Sequence, residues 1–453
     1  MRRLLAGLDR RFFSSFWSLT LPIALQNLII SALNLADTML VGELGEKAIG
    51  AVAVANQVYF LFVLVLFGIA TGSAVFTAQY WGSRDMRAIQ RALGFCLALS
   101  LSAATLFGLA GLLAPRQLLG LFSSDQELVG LGMRFLPTAS AGYWFTAVSF
   151  AYANVLRSMR VVRSPLVVSG AALAVNTLLN WLLISGRAGF PAMGVAGSAL
   201  ATLIARALEA ALLLAVVYRR AGPLREQARA LFSVSRDYMR RYARVALPVV
   251  VNEFVWALGF VTYGVVYARM GTDALAAFSL TDTVAKLGIV LFFGTSNACS
   301  VMVGNAIGAG DCAGARLNAR AFSLLGPALG AAVGLVVMAL SGALPSIFRV
   351  SPAVRADVSA MLVIFALFLP AKVFNWQLVV GILRAGGDTR FSLFLEAGTV
   401  WLFGVPLAAL AGLVLRLPVA LVFLAANLEE LLKLFIGLPR LLSGKWLNDL
   451  TRS

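Results

Sequence analysis

Asp37, Glu209, Glu253, Asp282, Glu396, Glu429 and Glu430 all sit inside runs of apolar residues. A carboxylate in such surroundings is expensive, so it is neutralised by a basic side chain, a proton or a cation. Spacing separates these acids. Arg206 and Glu209 are i, i+3, and Glu429 or Glu430 reaches Lys433 from three or four residues away, so both sets read as structural ion pairs. Asp282 and Lys286 are i, i+4 and read equally as a bridge or as charge facing a cavity. Glu396 lies a few residues into its run and is expected at an interface. Asp37, in "NLADTMLVGELG", and Glu253 have no basic neighbour at helical spacing. They are the positions where an intramembrane carboxylate reads as functional by default. The competing readings are an interfacial position for Asp37 and a structural polar role for Glu253.

The rest of the side-chain inventory narrows the chemistry. The chain has no histidine, which excludes an imidazole relay or an imidazole-based metal site. Cys96, Cys299 and Cys312 show no CxxC spacing and read as packing residues. No G-x-x-x-x-G-K-[ST] loop is present to power the protein with nucleotide. No cofactor is expected beyond a coupling ion, H⁺ or Na⁺.

The elements that position these residues follow from composition. The chain is 60% hydrophobic and 13% charged, with mean hydropathy +0.89, which places it among integral membrane proteins. A bilayer is crossed by roughly 20 apolar residues in a helix. Apolar stretches recur at 16–41, 51–78, 92–113, 131–156, 165–186, 193–218, 244–269, 276–303, 320–342, 359–382, 392–413 and 418–438. The expectation is therefore an all-α fold of about twelve spans, since runs this long without alternation do not suit a β-barrel. The start, "MRRLLAGLDRRFFSSF", is basic and lacks an A-x-A-like site, so no cleaved signal peptide is expected.

Alternate loops differ in charge. One side collects Arg2, Arg3, Arg10, Arg11, Arg84, Arg87, Arg91, Arg157, Arg160, Arg163, the cluster from Arg219 to Arg244, and Arg316, Arg320, Arg384, Arg390, Arg440, Lys445 and Arg452. The other side has Lys47, Arg116, Arg134, Arg187, Arg269, Arg349, Arg355 and Arg416. An asymmetry of about three to one predicts cytoplasmic N and C termini in a multi-pass cell-membrane protein. It also assigns the net charge of +17 to topology and membrane-lipid contact, with no nucleic-acid partner.

The chain repeats itself. Shifted by 226 positions, "LP" at 21–22 meets "LP" at 247–248, Gly45 meets Gly271, Gly82 meets Gly308 and Asp85 meets Asp311. "VLRS" (155–158) meets "ILRA" (382–385) at nearly the same offset. Such self-similarity divides the chain into lobes at 1–218 and 244–453, joined by the basic cytoplasmic linker 219–243. Six spans per repeat keep both halves in the same sense, related by a pseudo-two-fold axis along the membrane normal with a cavity between them. Pro22 and Pro248, at matching positions, read as hinges or as helix-start prolines. At the repeat position of Asp37 the second half has Tyr263, so the sequence predicts the acid in the first lobe only.

"LPIALQNLIISALNLADTMLVGELG", "ANQVYFLFVLVLFGIATG", "AQYWGSRD", "VYARMGTDALAAFS", "FFGTSNACSVMVGNAIGAGD", "LRAGGDTRFS" and "WLFGVPLA" resemble segments of the multidrug and toxic compound extrusion (MATE) transporters, over nearly the whole chain. Loop 79–91, by contrast, lacks the basic pattern of major-facilitator transporters. The resemblance implies a twelve-helix secondary antiporter, not an enzyme, in which the first-helix aspartate binds the coupling proton or sodium. In one branch that site adds an asparagine and an aspartate one turn apart on the fifth helix and a threonine on the sixth. Here "VNTLLNWLL" supplies Asn176 and Asn180, and "ALATLIAR" supplies Thr202. Asn180 stands where that branch has aspartate, which lowers the anionic charge offered to sodium and tilts the reading toward protons. The branch with a glutamate on the seventh helix has it a turn beyond Glu253, near Trp256, so Glu253 is not equated with it.

The expected function is export of lipophilic, mostly cationic drugs or toxins by a monomer, by alternating access. Acidic and aromatic residues facing a wide cavity suit such ligands. The candidates are Glu253, Asp282, Gln57, Tyr143, Trp144, Trp256, Tyr263 and Met39. One alternative is a flippase of lipid-linked oligosaccharide from the same superfamily, which would need a strongly cationic cavity. The intramembrane cations available for that are Arg206, Lys286, Lys372 and Lys433. A membrane-embedded enzyme is the remaining alternative, with no clear nucleophile–base arrangement to support it.

Overall fold

The structure is a computed structural model and describes residues 10–219, 236–348 and 350–451. Helices dominate it: α1 Arg10–Gly42, α2 Glu46–Gly82, α3 Met86–Leu113, α4 in two pieces Gln126–Ser140 and Tyr143–Ser158, α5 Arg163–Ser185 and α6 Val195–Arg219. The second series is α7 Arg236–Met270, α8 Thr272–Gly308, α9 Cys312–Leu340, α10 Pro352–Trp376 with a π-helical extension Gln377–Leu383, α11 Thr389–Val414 and α12 Val419–Ser443. Among the described residues nine helices are long and apolar enough to cross a membrane, and α8, bent by 52° between Thr272–Lys286 and Leu291–Gly308, makes a tenth. The other two are α4, interrupted at Ala141–Gly142, and α12, whose 25 residues carry Glu429, Glu430, Lys433 and Arg440. Among the described residues, twelve long or broken helices therefore stand where the apolar pattern predicts twelve spans.

The internal repeat is visible in the helix starts. Glu46 and Thr272, Met86 and Cys312, Gln126 and Pro352, and Arg163 and Thr389 each open a helix at the same offset. The same local chemistry sets these starts. Asp85 caps α3 by accepting from Ala88 N at 2.9 Å, and Asp311 caps α9 by accepting from Gly314 N at 2.8 Å. Gly45 (φ 100°) and Gly271 (φ 132°) make the tight entries to α2 and α8, backbone conformations that side chains disfavour.

The chain divides into two compact units, Leu25–Ala246 and Met1–Ala24 with Leu247–Ser453. These differ from the sequence repeats at the first part of α1 and the start of α7. Most of the 219–243 linker, residues 220–235, lies outside the described residues. Within the first unit, Val41, Ala55, Leu119, Phe135 and Ile184 form one core, and Phe62, Leu66, Ala104 and Tyr143 another. Tyr242 closes this unit, stacking on Phe76 at 5.4 Å and donating to Ile69 O at 3.1 Å. Within the second unit, Phe292, Met361, Phe365 and Leu369 form the larger core, and Val266, Tyr267, Ala408 and Val422 a smaller one. Phe12 and Phe16 of α1 pack there against Phe322. Both unit boundaries fall inside helices, two residues from Pro22 or Pro248. Among the described residues, twelve helical residues precede each of these prolines, so neither is a helix-start proline.

Candidate functional site

α1, α5 and α6 bring Asp37, Asn176, Asn180 and Thr202 together in the unit Leu25–Ala246. Asn176 and Asn180, four residues apart, share one face of α5 and are both buried. Asn180 Nδ2 donates to Asp37 Oδ1 at 2.6 Å and to Asn176 Oδ1 at 3.1 Å, and Asn176 Nδ2 reaches Thr202 Oγ1 at 3.5 Å. Asp37 itself is only half-buried. Asn180 Oδ1 is buried with no donor. An unpaired buried acceptor carries a desolvation penalty that a donor or a cation relieves. A proton on Asp37 or a sodium ion among these oxygens supplies what is missing, so the side chains present fit either ion.

One turn after Thr202 the polar chain continues. Arg206 pairs with Glu209 at 2.9 Å and lies 6.0 Å from the Tyr59 ring centroid. Glu209 Oε1 accepts from Ser169 Oγ at 2.9 Å, Ser169 Oγ accepts from Gln26 Nε2 at 3.2 Å, and Gln26 Oε1 accepts from Arg157 at 3.2 Å. The i, i+3 spacing gave the Arg206–Glu209 pair. The links through Ser169, Gln26 and Arg157 span 40, 143 and 131 residues and leave no local signal.

In the other unit, Glu253 is not free: Arg384, buried after the π-helical turn of α10, meets it at 2.6 Å. Asn252 Nδ2 donates to Glu396 Oε2 at 2.8 Å, which ties that half-buried carboxylate to a buried amide. Lys433 contacts both glutamates of α12, Glu429 at 3.2 Å and Glu430 at 3.9 Å. Glu430 also binds Lys372 at 3.1 Å and Asn375 Nδ2 at 2.8 Å. Asp282 pairs with Lys286 at 2.6 Å. Tyr263 Oη donates to Glu429 Oε2 at 2.8 Å, so a carboxylate does stand beside the repeat position of Asp37. It arrives from α12, not from α7, which is why the aligned repeats did not show it.

The remaining sequence candidates separate by exposure. Tyr143 is buried and stacks on Phe62 at 4.6 Å, while Trp144 Nε1 donates to Thr105 Oγ1 at 3.1 Å. Gln57 and Met39 are exposed, and Trp256 is exposed and stacks on Phe260. Among the described residues, no cluster of His, Cys, Asp and Glu suits a bound metal.

Comparison with known proteins gives relatives along nearly the whole chain. The chain is 26% identical to the uncharacterized transporter YisQ of Bacillus subtilis, over 97% of this chain and 96% of that protein. It is 23% identical to the probable multidrug resistance protein NorM of Thermotoga maritima, over 94% of this chain and 92% of that one. In fold it superposes on a MOP superfamily transporter from Pyrococcus furiosus with TM-score 0.85 at 20% identity, covering 95% of this chain and 96% of the other. The MatE family profile matches residues 22–182 and 248–410, one stretch in each repeat. The chain belongs to the MatE family, the multidrug and toxic compound extrusion transporters.

Proposed function

We propose that this transporter is a cation-coupled antiporter that exports lipophilic, mostly cationic small molecules, with Asp37, Asn176, Asn180 and Thr202 as the coupling site. The observation that carries the reading is the 2.6 Å hydrogen bond from Asn180 to Asp37, beside a buried carbonyl oxygen with no donor. A cation reaching Asp37 from outside neutralises the carboxylate and changes which hydrogen bonds Asn180 makes. That change is the local event by which the ion favours one state of the first unit, and drug the other. Coupling then follows from differential affinity for the two states. Asn180 in place of a second carboxylate favours the proton over sodium. Multidrug resistance is named for the NorM relatives, and drug export in this chain is supported by that kinship.

The acids proposed for substrate contact are already neutralised, Glu253 by Arg384 and Asp282 by Lys286. Substrate recognition therefore rests on the exposed Met39, Gln57 and Trp256 more than on Tyr143 or Tyr263, whose groups are engaged in packing or hydrogen bonding. A flippase of anionic lipid-linked sugars is disfavoured because Arg206, Lys286, Lys372 and Lys433 each have a carboxylate partner. The proposed topology keeps both termini cytoplasmic. Uptake of a fluorescent cationic dye into inverted vesicles, with proton and sodium gradients imposed separately, tests the reading. Accumulation driven by the proton gradient supports it, and accumulation indifferent to both gradients contradicts it.

A further inference from the structure

The repeat positions Gln26 and Asn252 carry the same kind of side chain, a buried primary amide, in two different states of satisfaction. In the unit Leu25–Ala246 both ends of the amide are used: Gln26 Oε1 accepts from Arg157 at 3.2 Å and Gln26 Nε2 donates to Ser169 at 3.2 Å. In the other unit the counterpart of Arg157 is Arg384, and it is committed to Glu253 at 2.6 Å. Asn252 Nδ2 donates to Glu396 at 2.8 Å, and Asn252 Oδ1 is left buried with no donor. Glu396 occupies nearly the repeat position of Ser169, so a hydroxyl in one unit is replaced by a carboxyl in the other.

The charges around Glu396 leave it alone. Glu253 is taken by Arg384, Glu429 by Lys433, Glu430 by Lys372 and Lys433, and Asp388 at the start of α11 by Arg440 at 2.7 Å. Among the described residues Glu396 has no basic group within ion-pair distance. Among the intramembrane carboxylates of this unit, Glu396 thus stands without a salt bridge among the described residues, next to one acceptor that lacks a donor.

We infer that Glu396 and Asn252 form a second proton-binding site, separate from Asp37. The proton comes from water at the half-exposed carboxylate, forms an O–H bond on Glu396, and returns to water when released. The protonated acid donates to Asn252 Oδ1 while accepting from Asn252 Nδ2, a paired acid–amide contact that satisfies both ends of the amide. It also removes the negative charge of Glu396. Three oxygens from two side chains are too few for a sodium ion, which makes the proton the ligand. The inference shares with the coupling reading only the idea of a proton-linked transporter. The protonation is measurable without transport, so failure of one does not imply failure of the other.

Infrared difference spectra of the purified full-length protein, recorded as pH is varied, read the protonated carboxyl groups directly. Glu396→Gln is expected to remove a carboxylic-acid C=O band that Asp37→Asn retains, and to lower the protons bound by one per molecule. Asn252→Ala is expected to keep that band but move it to higher frequency, because the carbonyl loses its hydrogen bond. A folded Glu396→Gln protein whose spectra match the wild type at every pH overturns the inference. If Glu396→Gln does not fold, an unmoved band in Asn252→Ala overturns it. A sodium titration at fixed pH that abolishes the band in wild type, and has no counterpart in Glu396→Gln, also overturns it by making the ligand a metal ion.

Discussion

Tyr263 Oη donates a 2.8 Å hydrogen bond to Glu429 Oε2, and Tyr263 occupies the position in the second repeat that Asp37 occupies in the first. The duplication has therefore kept a carboxylate at this depth of both lobes while moving its origin from the first helix of the repeat to the last. In the first lobe the acid is held by a neutral amide. In the second it is held by a phenol and by Lys433, an ammonium that is part of the chain. The second arrangement carries its own cation, whereas the hydrogen bond to Asp37 in the first comes from an uncharged side chain.

Gly404 makes the Tyr263–Glu429 contact possible. A Cβ at this position would collide with both Glu429 Oε2 and Tyr263 Oη. Tyr263→Phe removes a hydrogen bond to a charged acceptor and is expected to cost about 1.5–3 kcal/mol. Gly404→Ala forces the carboxylate and phenol apart and is expected to cost about 1–3 kcal/mol through overpacking, on top of weakening the same bond. Thermal unfolding of the detergent-purified proteins checks both. Equal melting temperatures for wild type and Gly404→Ala would show that the contact has slack.

Lys433 is expected to be the most sensitive position of α12. Lys433→Met strips Glu429 of its cation in a buried setting, a loss of about 3–5 kcal/mol. Glu429→Gln combined with Lys433→Met removes charge from both sides and should recover much of that loss, since Glu430 keeps Lys372. The pair then shows strong non-additivity in a double-mutant cycle of unfolding midpoints. Additive effects would mean that the two side chains do not act as a pair.

The local signals of the sequence carried well into the structure because each depends on a few consecutive residues. Apolar run length gave the helices, and the i, i+3 and i, i+4 spacings gave Arg206–Glu209, Glu429–Lys433 and Asp282–Lys286. The matches at an offset of 226, Asp85 with Asp311 among them, gave the repeat, and the structure shows both aspartates as helix caps. The partners of Glu253, Glu396 and Tyr263 were not legible, since Arg384, Asn252 and Glu429 lie 131, 144 and 166 residues away. Only tertiary packing brings them close. Asn252 could have been singled out, because an amide flanking an intramembrane glutamate at the repeat position of another amide is a pattern visible before folding. The set around Asp37 was reached through family resemblance, not through spacing alone, apart from the shared face of Asn176 and Asn180.

Asn180→Asp is expected to change the ion. A second carboxylate beside Asp37 adds one negative charge among oxygen ligands that already include Asn176 and Thr202, and hard oxygen donors with more charge hold sodium better. Dye export by this variant should gain a dependence on external sodium that the wild type lacks. Measuring export against sodium concentration at fixed pH checks this, and identical sodium curves for the two proteins would count against the assigned ligand set.

The caps test the repeat independently of transport. Asp85→Ala and Asp311→Ala each remove a side-chain acceptor from the first turn of a helix, α3 in one case and α9 in the other. Each is expected to lower stability by about 1 kcal/mol. Unfolding midpoints that shift for one variant and not for the other would mean the two capped turns are not energetic equivalents.

The central claim is that Asp37 carries the coupling ion. The measurement is gradient-driven accumulation of a cationic dye in inverted vesicles containing wild type or Asp37→Asn, with elution as a single monodisperse species confirming that the variant is folded. The account predicts that Asp37→Asn reduces the gradient-dependent component to the level of vesicles without the protein. Gradient-dependent accumulation equal to wild type in the folded variant would contradict it.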